Sequence, residues 1–110
     1  MIEERIQKIE ATIEASRNLP GETKTELLAL VAGLKSEIQT LSETHHEEAS
    51  SITRFADEST HEAAREEKDP QLAESALQGL RTSIEGLEQS HPTVVAAVNR
   101  FATALSNMGL

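Results

Sequence analysis

The sequence has no cysteine, no tryptophan and no tyrosine, and only two phenylalanines, Phe55 and Phe101. Without cysteine there is no disulfide to staple a small fold and no thiolate to hold zinc or attack a substrate, which fits a reducing compartment. With so few aromatic residues, large pieces of buried area have to come from Ile, Leu, Val and Ala, a palette that suits helix seams. Basic residues are also scarce: ten Lys and Arg stand against nineteen Asp and Glu, for a formal net charge of −9. Affinity for a phosphate backbone depends on Lys and Arg neutralising it, so no nucleic acid partner is expected, and anionic membrane surfaces are disfavoured for the same reason. No apolar run approaches the about 20 residues that span a bilayer. The opening MIEERIQKIE lacks the basic head and apolar stretch of a secretory signal, so a soluble, cytoplasmic protein is expected.

What is present is helical periodicity. The 110 residues suit one domain over 1–110. Ile2, Ile6, Ile9 and Ile13 recur at intervals that share one helix face, and Pro20 and Gly21 close that segment as a turn. This gives a first helix over 2–17. Leu27, Val31, Leu34, Ile38 and Leu41 repeat the pattern, with Leu28, Leu30 and Ala32 widening the stripe, and Thr23 with Glu26 has the spacing of a capping box at its start. Carried forward, the register puts His45 and Glu48 on the seam before Ile52 and Phe55 restore it. No glycine or proline interrupts the chain between Gly33 and Pro70, so the reading is one long helix over 22–67 with a weakened middle. An acidic linker over 43–69 is the alternative.

Asp69 and Pro70 read as an N-cap followed by proline at the first helical position, opening a helix over 70–89 with Ala73, Leu77, Leu80, Ile84 and Leu87 on its seam. Pro92 interrupts the run, as a break with Ser90 or His91 as cap or as a bend, and a last helix over 92–108 stops at Gly109. The fold class expected is all-α: an antiparallel helical bundle with a long central helix and an extended helical hairpin, in which only the segment from Ala73 to Leu87 lies along the second half of the rod.

Candidate sites are few. His45 and Glu48 are three residues apart and share a helix face, so with His61 they are weak candidates for a metal site. The plainer reading makes His45 a polar seam residue that fixes register, and leaves His46 and His61 in solvent. His91, just before Pro92, is read as structural, its ring capping a helix end, alongside the punctuating residues Pro20, Gly21, Pro70 and Pro92. Gly79 and Gly86 lie on one helix face, where they either admit a close backbone neighbour or are two tolerated weak points. No phosphate-binding glycine loop, Gly-x-Ser-x-Gly or His-Glu-x-x-His is present, and the Glu-rich stretches lie on helix exteriors, so no enzyme and no cofactor are expected.

The closing stretch SHPTVVAAVNRFATALSNMGL has Arg100 as its only formally charged side chain. Val94, Val98, Phe101, Leu105 and Met108 form one stripe, and Val95, Ala97, Ala102 and Ala104 form a second apolar flank. The expected function is therefore a non-catalytic interaction or scaffold module that self-associates as a homodimer, coiled-coil fashion, by burying this tail and the seam near His45. The alternatives are an adaptor docking its C-terminal helix on another protein and, less favoured, a His/Glu metal-binding bundle. Mimicry of nucleic acid by the acidic surface is allowed by charge alone.

The tail, with His91, Pro92 and Thr93 at its start and Asn107, Met108, Gly109 and Leu110 at its end, resembles a small bacterial family of unknown function, domain of unknown function 4404, as more loosely does NLPGETKTELLALVAGLKSEI before it. The resemblance implies a small helical protein and brings no activity, cofactor or catalytic residue. Residues 43–69 depart from the family pattern and look like an extension particular to this chain.

Overall fold

In a computed structural model that describes residues 2–108, the isoleucine spacing at the start of the chain produces helix α1 (Ile2–Ala15), with Ile6, Ile9 and Ile13 buried. Helix α2 (Gly21–Ser42) buries Leu27, Val31, Leu34, Ile38 and Leu41. It starts two residues before the expected cap: Pro20 occupies the N-cap position without a side-chain hydrogen bond, and Thr23 lies inside the first turn.

The expected rod over 22–67 does not form. Helix α2 ends at Ser42, the chain reverses over residues 43–45, and helix α3 (His46–Ala63) packs back against it. One unbroken helix of that length would run about 69 Å at 1.5 Å per residue, whereas the longest extent of the molecule is 37 Å. The linker alternative fails too, because most of residues 43–69 is helix. The bundle has no extended hairpin.

Helix α4 (Pro70–Ser83) opens as the sequence indicates: Asp69 Oδ1 accepts the backbone N–H groups of Gln71 and Leu72 at 3.1 and 3.2 Å, and Pro70 follows it. It ends six residues earlier than expected. Gly86 has φ of +87°, a left-handed conformation that glycine takes without a Cβ penalty. The turn it makes still delivers Ile84 and Leu87 to the core. Helix α5 (Pro92–Ser106) then starts with Pro92 in its first turn. Gly109, the expected stop, lies outside the described residues. Every regular element among the described residues is a helix, so the protein is an all-α helical bundle.

Helix α3 packs against all four of the others. Its inward residues are mostly small: Ala49, Ile52, Thr53, Ala56, Ser59, Thr60 and Ala63. The threonines cost little by being buried, because Thr53 Oγ1 donates to the Ser50 carbonyl at 2.9 Å and Thr60 Oγ1 to the Ala56 carbonyl at 2.7 Å. Polar ties then join α1 and the loop after it to this part of the chain: Arg5 donates to the Ser50 carbonyl of α3 at 3.3 Å, and Asn18, beyond the end of α1, donates to the Arg65 carbonyl, beyond the end of α3, at 3.1 Å. Arg65 itself is held by Glu62 at 2.8 Å, and that hydrogen bond, followed by the charge of Glu62, pushes its guanidinium further toward the charged form.

The two halves of the bundle are related. Residues 33–56 align with 79–102 without a gap, and the identical pairs are Gly33/Gly79, Leu34/Leu80, Ile38/Ile84, Leu41/Leu87, His45/His91, Arg54/Arg100, Phe55/Phe101 and Ala56/Ala102. The packing obeys the same correspondence: α3 lies on α4 as α5 lies on α2, α3 and α5 touch each other, and α2 and α4 do not meet. The bundle is thus a pair of related helical hairpins with approximate two-fold arrangement, and α1 is added to the first. Where the first hairpin has Leu28 half-buried and Thr53 buried, the second has the exposed Glu74 and Asn99, polar residues that keep its surface in water.

Ser59 Oγ is the one buried side-chain polar atom among the described residues that lacks a hydrogen-bond partner. A buried hydroxyl without a partner costs about 1–3 kcal/mol. Ser59→Ala is therefore expected to raise the unfolding free energy by about 1 kcal/mol in urea titration, and a loss of stability would show that the hydroxyl is satisfied.

Candidate functional site

The sequence candidates for a metal do not come together. His45 and His61 lie at the two ends of α3, about 24 Å apart at 1.5 Å per residue. Among the described residues no group of three or more His, Cys, Asp or Glu side chains is placed to hold a metal ion. His45 is not a seam residue either, because α2 has ended before it. Its Nδ1 is hydrogen-bonded to Thr44 Oγ1 at 2.7 Å, and its ring meets that of His91 edge to face, with centroids 4.7 Å apart and planes at 76°.

His91 was expected to cap α5 with its ring, and the ring makes no such hydrogen bond. It is occupied by His45. The two histidines hold matching places in the related hairpins: each donates its backbone N–H to a leucine carbonyl four residues back, Leu41 and Leu87, both at 2.8 Å. The carbonyl of each also accepts the backbone N–H of the fourth residue of the helix that follows, Ala49 at 3.0 Å and Val95 at 3.2 Å. The pair closes one end of the bundle where the two chain reversals meet.

The expected interaction stripe forms on α5 but faces inward. Val94, Val98, Phe101 and Leu105 are buried inside the chain's own core, and Met108 is half-buried against it. These residues are spent on folding. What α5 offers to solvent is its other side, which together with α2 forms a shallow groove lined by Gly33, Ser36, Glu37, Ala96, Ala97 and Arg100. The groove continues past Leu30, Thr103 and Ala104 toward Glu26. Apart from those two glutamates and Arg100 it carries no charge, on a chain of net −9.

The matching surface between α3 and α4 is filled. The ring of Phe55 lies where a Cβ on Gly79 would be, and the Arg54 guanidinium stands 4.8 Å from the ring centroid. Such a cation over an aromatic face is attracted by the ring's electron density. Gly79 therefore admits a close neighbour, although that neighbour is a side chain and not the backbone expected. Gly86 serves the turn after α4. On α4, Leu72 is the one large apolar residue left substantially exposed among the described residues, at 48%.

A family model described as domain of unknown function (DUF4404) matches residues 27–110, from the second turn of α2 through α5. The chain belongs to that family. The range matched in this DUF4404 protein spans residues 43–69 and so includes α3. Helix α1 lies before the matched range. No curated protein and no solved structure matches the chain.

Among the described residues no helix is long and apolar enough to cross a membrane.

Reading along the chain missed the groove and the filled surface opposite it, because both depend on the relation between the hairpins. The signal was the shared Gly-Leu at 33–34 and 79–80 and the shared Arg-Phe-Ala at 54–56 and 100–102.

The two glycines in helix interiors, Gly33 and Gly79, make a contrast. A Cβ on Gly33 would meet nothing within 4 Å, whereas one on Gly79 would collide with Phe55. Glycine inside a helix costs about 1 kcal/mol relative to alanine, so Gly33→Ala is expected to raise stability by about that amount. Gly79→Ala should gain nothing or lose stability, because the ring has to move. Denaturant titration of both variants checks the order, and equal gains would contradict the placement of Phe55.

Proposed function

We propose that this DUF4404 protein is a non-catalytic, cytoplasmic adaptor that docks on another protein through the outward face of α2 and α5. The observation that carries this reading is the sparse charge of that face: Arg100 is the single formally charged residue in α5. On a strongly acidic chain, solvent-facing surface is usually kept charged for solubility, and a low-relief strip with small side chains lets a second helix approach closely.

The core favours an adaptor over self-association. The grounds for a homodimer were the α5 stripe and a seam at His45, and both are now occupied within one chain. A dimer built on the α2 and α5 face would bring Glu26 and Glu37 of the two copies toward one another, like charges that oppose the contact.

Two measurements test the proposal together. Light scattering across a wide concentration range is expected to return the 12.0 kDa mass of one chain. A photo-crosslinking residue at Thr103, on the exposed face, is expected to form a discrete adduct with a different protein in the producing cells, while the same residue at the exposed Gln7 of α1 does not. A stable doubled mass, or crosslinks only between copies, would replace the adaptor with a homodimer.

A further inference from the structure

No described residue packs where a side chain on Gly33 would be. This glycine lies exposed in the middle of α2, where glycine weakens a helix, and the space its missing side chain leaves is open among the described residues. Its counterpart shows what such a gap accommodates. At Gly79 the missing Cβ makes room for the ring of Phe55, and Arg54, next to it in sequence, lays its guanidinium against that ring.

On the other side of the approximate two-fold the same parts are present except the ring. Arg100, the counterpart of Arg54, lines the groove with Gly33, Ala96 and Ala97. Phe101, the counterpart of Phe55, is fully buried in the core and does not cover Gly33. The first pairing of hairpins is closed by an aromatic side chain from within, and the second is left without one.

We propose that the groove at Gly33 receives an aromatic side chain presented by a helix of a different protein, with Arg100 over the ring face. The proposal rests on the adaptor reading and specifies its partner. A second copy of this chain is a poor donor: its aromatic residues are two phenylalanines, one buried and one already laid on Gly79. Glu37 beside Gly33 and Glu26 at the far end of the groove add a second requirement. They match a partner helix with Lys or Arg flanking the aromatic residue, and the acidic chain as a whole would draw such a helix in.

The protein's lack of tryptophan and tyrosine makes it dark in tryptophan fluorescence, so a partner mimic reports without background. The probe is an alanine-based helical peptide carrying lysines and one central tryptophan. Saturable binding is expected, seen as a shift of tryptophan emission, with amide NMR perturbations centred on Gly33, Ala97 and Arg100. Gly33→Leu, which fills open space and leaves helicity unchanged by circular dichroism, should weaken binding at least tenfold, and Arg100→Gln several-fold. Replacing the peptide's tryptophan by leucine, followed by NMR, should weaken it by a similar factor.

No binding would overturn the proposal, as would equal affinity for Gly33→Leu, perturbations spread over the acidic surface, or perturbations centred on Leu72. The adaptor reading fails separately. A heterologous crosslink from Thr103 with no aromatic preference in the groove removes the ring and keeps the adaptor, whereas localised peptide binding with crosslinks only between copies removes the adaptor.

Discussion

The packing of this bundle depends on α3 being thin. A helix can touch four neighbours only if its inward side chains let each of them approach, and Ala49, Thr53, Ala56, Ser59, Thr60 and Ala63 do so along most of α3. Large residues then come from the other side of each interface, from Ile6, Ile9 and Ile13 in α1, Leu80 in α4, and Val98, Phe101 and Leu105 in α5. Small residues on one helix and large ones on its neighbours interdigitate into a single core cluster, as dense packing requires. The segment with the most polar composition is the one that all the others touch.

The same constraint explains why two related hairpins end up doing different things. In the first, α3 is surrounded and its threonines return their hydroxyls to their own helix. In the second, α5 takes Leu105 where α3 has Ser59 and Val94 where α3 has Glu48, so it contributes bulk and leaves one side free. Helix α1 covers the first hairpin only. The contact of His45 with His91 marks where the two reversals meet, and the groove at Gly33 marks where the correspondence between them is incomplete.

Much of the fold was readable because several segments follow a plain helical period. The isoleucines of α1, the leucines of α2, the Asp69-Pro70 start of α4 and the stripe of α5 all appear where the pattern puts them. The reversal at residues 43–45 was not readable, because it lacks glycine and proline and because helical spacing passes through it unbroken. Alanine, serine and threonine facing inward from α3 look like a solvated surface when only large apolar residues are counted as core. One clue did exist. Pro92 opens α5 after a break, His46 holds the matching place at the start of α3, and aligning the two halves transfers the break from the obvious position to the hidden one. The tail illustrates the reverse error: its apolar character was plain, but the sequence alone does not say whether an apolar face meets its own chain or another.

For function, the consequence is that the apolar stripe of α5 belongs to the fold and the quiet outward side of α2 and α5 becomes the surface of interest. That reassignment stands on α3 being an ordered central helix. Amide hydrogen exchange of the intact chain tests this most directly. If α3 is the element on which the bundle is assembled, the amides of residues 50–63 exchange only through global opening, as slowly as the centre of α2. Rapid exchange through this segment, with α2 and α5 still protected, would mean that it is a solvated linker and would contradict the account.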